Sequence, residues 1–144
     1  PEQIVPSSFA AARWLRAARP ALTHAFVIGE AGLVEELAAV GIEVLSTPAD
    51  GFSKSGFSAA RPDPRVGAVV VGHDTAFSFG ALALASLYLE EAGCLFVATN
   101  TDEFDAIETA HGPRRLPGNG CLVNAVGTAC GRRPDAVCGK PDDA

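Results

Sequence analysis

The stretch "VGAVVVGHDTAFSFGALALASLYLEEAGCLFVATNTD", residues 66–102, decides the fold class because two short apolar runs flank a helical pattern. The runs Ala68 to Val71 and Leu95 to Ala98 are typical of strands, since they are rich in β-branched and aromatic residues. Between them, Ala81 to Leu89 is apolar almost all round. This pattern predicts a helix that is buried on two sides or packs against another subunit. A strand, a helix and a second strand in this order indicate a parallel sheet.

The same order occurs earlier in the chain, in "HAFVIGEAGLVEELAAVG", residues 24–41. Phe26 to Ile28 is the predicted strand, and the helix that follows ends at Gly41, where a C-terminal cap is expected. Two more helices are predicted: one capped by Ser7 and Ser8 that runs to about Ala18, and one with a stripe formed by Leu122, Val126 and Cys130 and ended by Gly131. We therefore predict an α/β domain with a mainly parallel central sheet flanked by helices.

Two segments do not match a regular element. Residues 46–64, "STPADGFSKSGFSAARPDP", are dominated by Pro, Gly and Ser and predict a surface loop or a flexible insertion. Residues 101–120, "TDEFDAIETAHGPRRLPGNG", predict a second long loop that leaves the carboxyl end of a strand and enters a helix. Loops longer than ~12–15 residues in a compact domain are usually functional or disordered. The second loop is therefore a candidate functional segment.

Composition excludes several classes of protein. A chain of 144 residues, 48% hydrophobic and 19% charged, has the size and balance of one globular domain. The net charge of −6, with only Lys54 and Lys140 as lysines, predicts no nucleic-acid partner. No run of ~18 apolar residues exists, and the first residues lack the regions of a signal peptide. We expect a soluble intracellular protein with no membrane partner, in the cytoplasm or an organelle.

Cysteine and histidine spacing gives no metal motif. No Cys-x-x-Cys pair is present, and most of the cysteines lie in apolar runs, so we predict plain buried thiols. The histidines are scattered, and no metal site is predicted in this chain. The cysteines are Cys94, Cys121, Cys130 and Cys138, and the histidines are His24, His73 and His111.

Polar residues follow the predicted strands, where open α/β sheets bind ligands. Together with the second long loop they could form one polar rim, although each is also explained by an ordinary role in ending a strand or capping a helix. Similarly, "PGNG" before the last helix predicts either an anion site or a simple turn with Asn119 near the N-cap. The rim candidates are Glu30, His73, Asp74, Thr99, Asn100, Thr101, Asp102, Asp105, Glu108, His111, Arg114 and Arg115.

Four motifs taken together resemble a known family. "AVVVGHD", "LFVATNTD", "PGNGCLVNAV" and "GKP" are similar to phosphatases of the haloacid dehalogenase superfamily, in the phosphoglycolate phosphatase and p-nitrophenylphosphatase branch. "EQIVPSSFAAARWL" resembles the place where that branch leaves its catalytic core. The resemblance covers most of the chain and leaves out residues 46–64. It implies that residues 1–144 are a three-layer α/β cap domain, which ends where the chain re-enters a core.

The resemblance also implies roles for particular residues. Lys140, in Gly-Lys-Pro, would neutralise the transferring phosphoryl group and the attacking aspartate, and residues 100–120 match the substrate-specificity loop. In this chain that loop is longer and more acidic than in the family, and His73 stands where the family usually has Phe. The candidate specificity residues are Asn100, Asp102, Asp105, His111, Arg114, Arg115 and Asn119.

The function implied is that of a cap over a phosphatase active site. The intact enzyme would hydrolyse a small, phosphoglycolate-like phosphomonoester through an aspartyl-phosphate, with Mg²⁺ bound in the core. No Asp-x-Asp-x-Thr motif occurs in these residues, so we expect the chain alone to be inactive. The alternative is a non-catalytic binding or structural subunit of a larger assembly, and helix 81–89 is a possible homodimer contact in either case. A regulatory domain that binds a small molecule is a third possibility.

Overall fold

A five-stranded parallel sheet forms the centre of the molecule, as the computed structural model shows for residues 6–49 and 51–139. Its strand order is β2-β1-β3-β4-β7, and β5 and β6 form a separate antiparallel pair. The strands are β1 (His24–Ile28), β2 (Glu43–Leu45), β3 (Val66–Val71), β4 (Leu95–Ala98), β5 (Phe104–Thr109), β6 (Gly112–Pro117) and β7 (Ala136–Val137). The helices are α1 (Ser7–Ala18), α2 (Ala31–Ala39), α3 (Lys54–Ala59), α4 (Phe79–Tyr88) and α5 (Asn119–Cys130).

Strand β3 shows why the sheet is covered on both sides. Its alternate residues point to opposite faces. Val69 and Val71 belong to the core beneath α4 and α5, whereas Ala68 and Val70 belong to the core beneath α1 and α2. Because both faces of the strand are buried, its sequence is continuously apolar. The predicted α/β class, with helices on both faces of a mainly parallel sheet, is confirmed.

Helix ends follow the sequence signals in part. Gly41 and Gly131 have φ of 82° and 71° just after α2 and α5, as the predicted C-terminal caps require. The prediction that Ser7 and Ser8 cap α1 is wrong, because Pro6 is the N-cap and no side chain caps this helix. Both serines are instead the first residues of the helix.

Helix α4 is buried on one side and half-buried on the other. Gly80, Ala81 and Ala85 face the core, whereas Leu82 and Leu84 pack at its margin. The helix therefore already uses most of its apolar surface within this domain. Its contact with a second subunit stays a prediction.

Residues 46–64 contain a short helix that the sequence did not predict. Residues 51–59 are exposed, as expected of a surface segment, and α3 lies within them. The Ser53 hydroxyl caps α3 by accepting from Gly56 N at 3.0 Å. The segment contacts α4 through aromatic rings, since the Phe52 ring meets the Phe79 ring edge-on at 4.8 Å.

The second long loop is a β-hairpin rather than an irregular segment. β5 and β6 pair in antiparallel register from Phe104 with Pro117 to Thr109 with Gly112. Gly112 has φ of 94° in the turn, a conformation that glycine adopts without strain. Most of the hairpin side chains are exposed on both faces, so the hairpin projects from the body of the domain.

The cysteines are free thiols in different surroundings. Cys94 is buried, and burial raises the pKa of its thiol to about 11. Cys130 and Cys138 are half-buried, whereas Cys121 is exposed on α5. The prediction of a buried thiol is therefore wrong for Cys121, which lies on the outer side of its helix. Across the residues placed by the structure, no helix has both the length and the apolar character to cross a membrane.

Candidate functional site

The carboxyl edge of the sheet brings three polar turns together. Ile28 pairs with Val71, and Val71 pairs with Ala98, so the strands β1, β3 and β4 end side by side. The turns that follow them line a pocket of about 250 Å³. Its lining residues are Ser7, Ser8, Glu30, Gly32, Leu33, Gly72, His73, Thr99 and Asn100. The polar rim that the sequence suggested is thus partly assembled, with α1 contributing two serines that the sequence did not assign to it.

Glu30 joins two of these turns. Its carboxylate accepts hydrogen bonds from the backbone N–H of Thr75 at 3.0 Å and from the Thr75 hydroxyl at 3.2 Å. These two bonds, and to a smaller extent the nearby His73, lower the pKa of the Glu30 carboxyl. A negative charge therefore stands at the pocket, close to the turn that contains His73.

Asp74 and Asn100 have ordinary turn roles. The Asp74 carboxylate accepts from Ala76 N at 2.9 Å, and the Asn100 side-chain oxygen accepts from Asp102 N at 3.1 Å. Both are bonds to the backbone two residues ahead, which is the usual pattern of Asx turns. An ordinary role in a turn therefore explains the side-chain oxygens of both residues.

Asn119 is buried, with only 2% of its surface exposed, and its side chain connects several elements of the fold. Its side-chain amide nitrogen donates to Val71 O at 3.0 Å and to Asn100 O at 2.9 Å, and it lies 3.4 Å from the Thr99 hydroxyl. These contacts join the carboxyl ends of β3 and β4 to the first residue of α5. The side chain is therefore placed beneath the rim rather than on the exposed part of the loop.

Replacement of Asn119 is expected to lower stability. Asn119→Ala leaves one buried and one partly buried backbone carbonyl without this donor and is expected to cost about 1–3 kcal/mol in the free energy of unfolding. Asn119→Asp is expected to cost more, because a carboxylate would then face carbonyl oxygens. Urea denaturation of the two variants tests this order. An Asp variant as stable as the wild type would contradict the assigned contacts.

The "PGNG" turn closes the base of the hairpin by close backbone approach. Gly120 N donates to Asp102 O at 2.7 Å, and Gly118 N donates to Glu103 O at 3.0 Å. A Cβ at Gly118 would overlap the Asp102 carbonyl, and one at Gly120 would lie 2.5 Å from Thr101 O. Packing against residues 101–103 thus accounts for both glycines, as the simple-turn alternative requires.

The hairpin presents two different faces. In an antiparallel pair, directly opposite residues point to the same side and consecutive residues point to opposite sides. The platform face consists of Phe104, Ala106 and Glu108 with Pro113, Arg115 and Pro117. The opposite face consists of Asp105, Ile107 and Thr109 with Gly112, Arg114 and Leu116. The two arginines therefore cannot face one ligand together.

Of the two arginines in the hairpin, Arg115 is the one whose guanidinium lies over an aromatic ring. Its guanidinium carbon lies 4.2 Å from the centre of the Phe104 ring. Phe104 is not among the residues predicted from the sequence, although an aromatic residue in an acidic loop was a usable signal. His111 lies in the turn at the hairpin tip, about 17 Å from the Phe104 pair at ~3.4 Å per residue. The candidate residues of the loop therefore do not converge at one point.

The two ends of the described chain meet at this same edge. Cys138 N donates to Ala98 O at 3.0 Å, and Gly139 then passes between the Thr99 carbonyl and Ser7 so closely that a Cβ there would overlap both. Lys140, the predicted catalytic residue, lies outside the described residues.

The described residues do not fit a magnesium site. Within 6–49 and 51–139, no group of three or more His, Cys, Asp or Glu side chains is placed to hold a metal ion.

Comparisons with curated proteins identify phosphatase relatives, although no family model matches the chain. The chain is 41% identical to glycerol-3-phosphate phosphatase of Gallus gallus over 98% of its length. It is 39% identical to chronophin of Rattus norvegicus over 97% of its length, and 38% identical to chloroplastic phosphoglycolate phosphatase 1A of Arabidopsis thaliana over 97%. It covers 45%, 41% and 39% of those three proteins, respectively, and thus spans less than half of each.

Solved structures agree with this result. The fold matches a glycerol phosphate phosphatase of Mycobacterium tuberculosis, solved in complex with magnesium, with a TM-score of 0.71 and 33% identity over 94% of this chain and 35% of that one. It also matches a p-nitrophenyl phosphatase from Archaeoglobus fulgidus with a TM-score of 0.66 and 27% identity over 91% of this chain and 42% of that one. The chain is therefore a relative of the phosphatases of the haloacid dehalogenase superfamily, which confirms the resemblance seen in its motifs.

Proposed function

We propose that this chain is the cap of a haloacid dehalogenase phosphatase that hydrolyses a small, phosphoglycolate-like phosphomonoester. The meeting of Ser7 and Gly139 at the carboxyl edge of the sheet is the observation that supports this most directly. A domain inserted into a host must leave and re-enter the host at neighbouring points. The pocket and the base of the hairpin lie at the same edge, so a core attached there would face both.

Coverage of the relatives supports the same proposal. The chain matches less than half of each curated relative described above, so most of each relative lies outside the aligned residues. In this proposal that remainder includes the core, which contributes the nucleophilic aspartate and the ligands of Mg²⁺. The cap covers the site, excludes water and contacts the leaving group of the substrate.

Lys140 has a charge-stabilising role in this proposal. It follows Gly139, which lies against Thr99 and Ser7 at the rim. In the proposed enzyme its ammonium would neutralise charge on the phosphoryl group and on the attacking aspartate. Asn100 and Asp102 lie at this same edge, next to the base of the hairpin, and Arg115 on the platform face would be presented to the substrate side. Asp105 and Arg114 lie on the opposite face, and His111 lies at the tip, farther from the rim.

The test compares the 144-residue chain with the longer protein that contains it. With p-nitrophenyl phosphate and Mg²⁺, we expect turnover by the longer protein and none by the chain alone, because Lys140 cannot form the covalent intermediate by itself. Robust turnover by the isolated chain would overturn the proposal. A longer protein that hydrolyses no phosphomonoester would instead favour the non-catalytic binding or structural subunit.

A further inference from the structure

We propose that Arg115, held on the ring of Phe104, is the residue by which this cap selects phosphomonoesters that contain a second anionic group, such as a carboxylate. This inference rests on the proposed function, because it assigns the substrate class of that site. It depends on the geometry of the hairpin and on the distribution of charge around it.

The Arg115 side chain is held against an aromatic ring. Its guanidinium lies over the Phe104 ring with 4.2 Å between the guanidinium carbon and the ring centre. Stacking of this kind uses the flat face of the guanidinium and leaves the N–H donors at its edge. Among the residues placed by the structure, no carboxylate lies within 4.0 Å of it in an ion pair. The donors are thus available to a ligand.

Arg114 differs from Arg115 in the face of the hairpin on which it lies and in its neighbours. Arg114 points to the opposite face of the hairpin, where Ile107 is its cross-strand partner. No aromatic ring lies beneath its guanidinium in the described ranges. A held guanidinium loses less conformational entropy when it binds a ligand than a free one does. For this reason Arg115, and not its neighbour, is the effective anion receptor.

Position along the hairpin supports the same choice. Phe104 is in the first pair at the base, and Arg115 is two pairs further out, opposite Ala106. The base adjoins the carboxyl edge of the sheet, where Asn100 and His73 line the pocket. Glu108 and His111 are near the tip and so are farther from the pocket.

The surrounding charge makes a receptor necessary. The segment that contains the hairpin has four carboxylates, at Asp102, Glu103, Asp105 and Glu108. A substrate with a carboxylate beside its phosphate would be repelled unless a cation faced it. The planar fork of an arginine binds a carboxylate through two parallel hydrogen bonds. Arg115 supplies that group, whereas a substrate whose second group is a hydroxyl does not need it.

Sequence identity to the relatives does not show whether this chain prefers a substrate with a carboxylate or one with hydroxyl groups. The relatives include a glycerol-3-phosphate phosphatase at 41% identity and a phosphoglycolate phosphatase at 38%. Their named substrates differ in chemistry, since one has hydroxyls where the other has a carboxylate. The two compounds are therefore a matched pair of probes for Arg115.

The experiment uses the longer protein that contains this cap, with 2-phosphoglycolate, glycerol 3-phosphate and p-nitrophenyl phosphate as substrates. Arg115→Gln is expected to lower kcat/KM for 2-phosphoglycolate by roughly 10- to 100-fold, mainly through KM. The other two substrates should change by less than about threefold, since they lack a carboxylate. Phe104→Leu is expected to produce a smaller loss with the same selectivity, and Arg114→Gln is the matched control that changes none of the three.

Each result decides the inference. A selective loss for 2-phosphoglycolate in Arg115→Gln, absent from Arg114→Gln, supports it. An equal loss for all three substrates, no loss, or a selective loss in Arg114→Gln overturns it while the enzyme remains a phosphatase. A wild-type protein that hydrolyses none of the three overturns the proposed function, and the inference with it. Retained activity towards p-nitrophenyl phosphate shows that a variant is folded.

Discussion

Lys140→Met in the longer protein is expected to lower kcat by roughly 100- to 1,000-fold, the usual effect of removing one preorganised group that stabilises transition-state charge. Methionine keeps the length of the side chain and removes its charge. The expected loss follows from the proposed role at the phosphoryl group, and KM should change less than kcat. Steady-state kinetics with p-nitrophenyl phosphate measures both.

Lys54 provides the matched control, because the chain has only one other lysine. It lies at the start of α3 and is exposed. Lys54→Met removes the same charge from a residue that has no part in the chemistry of our proposal, and kcat should stay within about twofold of the wild type. If Lys140→Met were as active as Lys54→Met, the role assigned to Lys140 would be wrong.

Gly120→Ala is expected to lower the free energy of unfolding by about 2–3 kcal/mol. The added Cβ would lie 2.5 Å from Thr101 O and 2.8 Å from Asp102 O, so backbone at the base of the hairpin must move. The hydrogen bond from Gly120 N to Asp102 O would also be strained. Urea denaturation gives the stability, and amide hydrogen exchange of residues 101–120 reports on the hairpin.

Gly32→Ala is the opposite case and serves as the control. Gly32 is exposed within α2, and a Cβ there would meet no atom within 4 Å. Alanine should therefore stabilise the domain by about 0.4–1 kcal/mol, because it restricts the unfolded chain at no cost to the folded one. Equal destabilisation by both substitutions would show that the contacts at Gly120 do not decide its effect.

The central strands could be predicted because burial on both faces leaves a direct trace in sequence. β1, β3 and β4 are continuous apolar runs, which a parallel sheet covered by helices requires. β2 and β7 were missed, because they have only three and two residues and lie at the edges of the sheet. Segments this short show no periodicity.

The hairpin could not be predicted from hydrophobic pattern for a related reason. A strand is recognised when one face is buried, and here both faces of β5 and β6 are largely exposed. What defines these strands is their mutual pairing and the turn at Gly112. The sequence therefore indicated where the segment starts and ends, but not its structure.

The rim was predicted in outline, but the roles of its members were not. Strand ends in a parallel sheet must meet, so the grouping of Glu30, His73 and Asn100 follows from strand order alone. The burial of Asn119 depends on three oxygens contributed by Val71, Thr99 and Asn100, which are distant in sequence. Hydrogen bonds between residues far apart in the chain leave no pattern in any short stretch of the sequence.

The closeness of Ser7 and Gly139 has a further consequence in our proposal. A unit that leaves and re-enters its host through neighbouring residues can be moved into a surface turn of another protein with two short joints and little displacement of the host backbone. The sheet and both hydrophobic cores described above are formed by residues of this chain. If the proposed function holds, exchange of this unit between related enzymes would replace the hairpin, and with it the substrate preference, in one step.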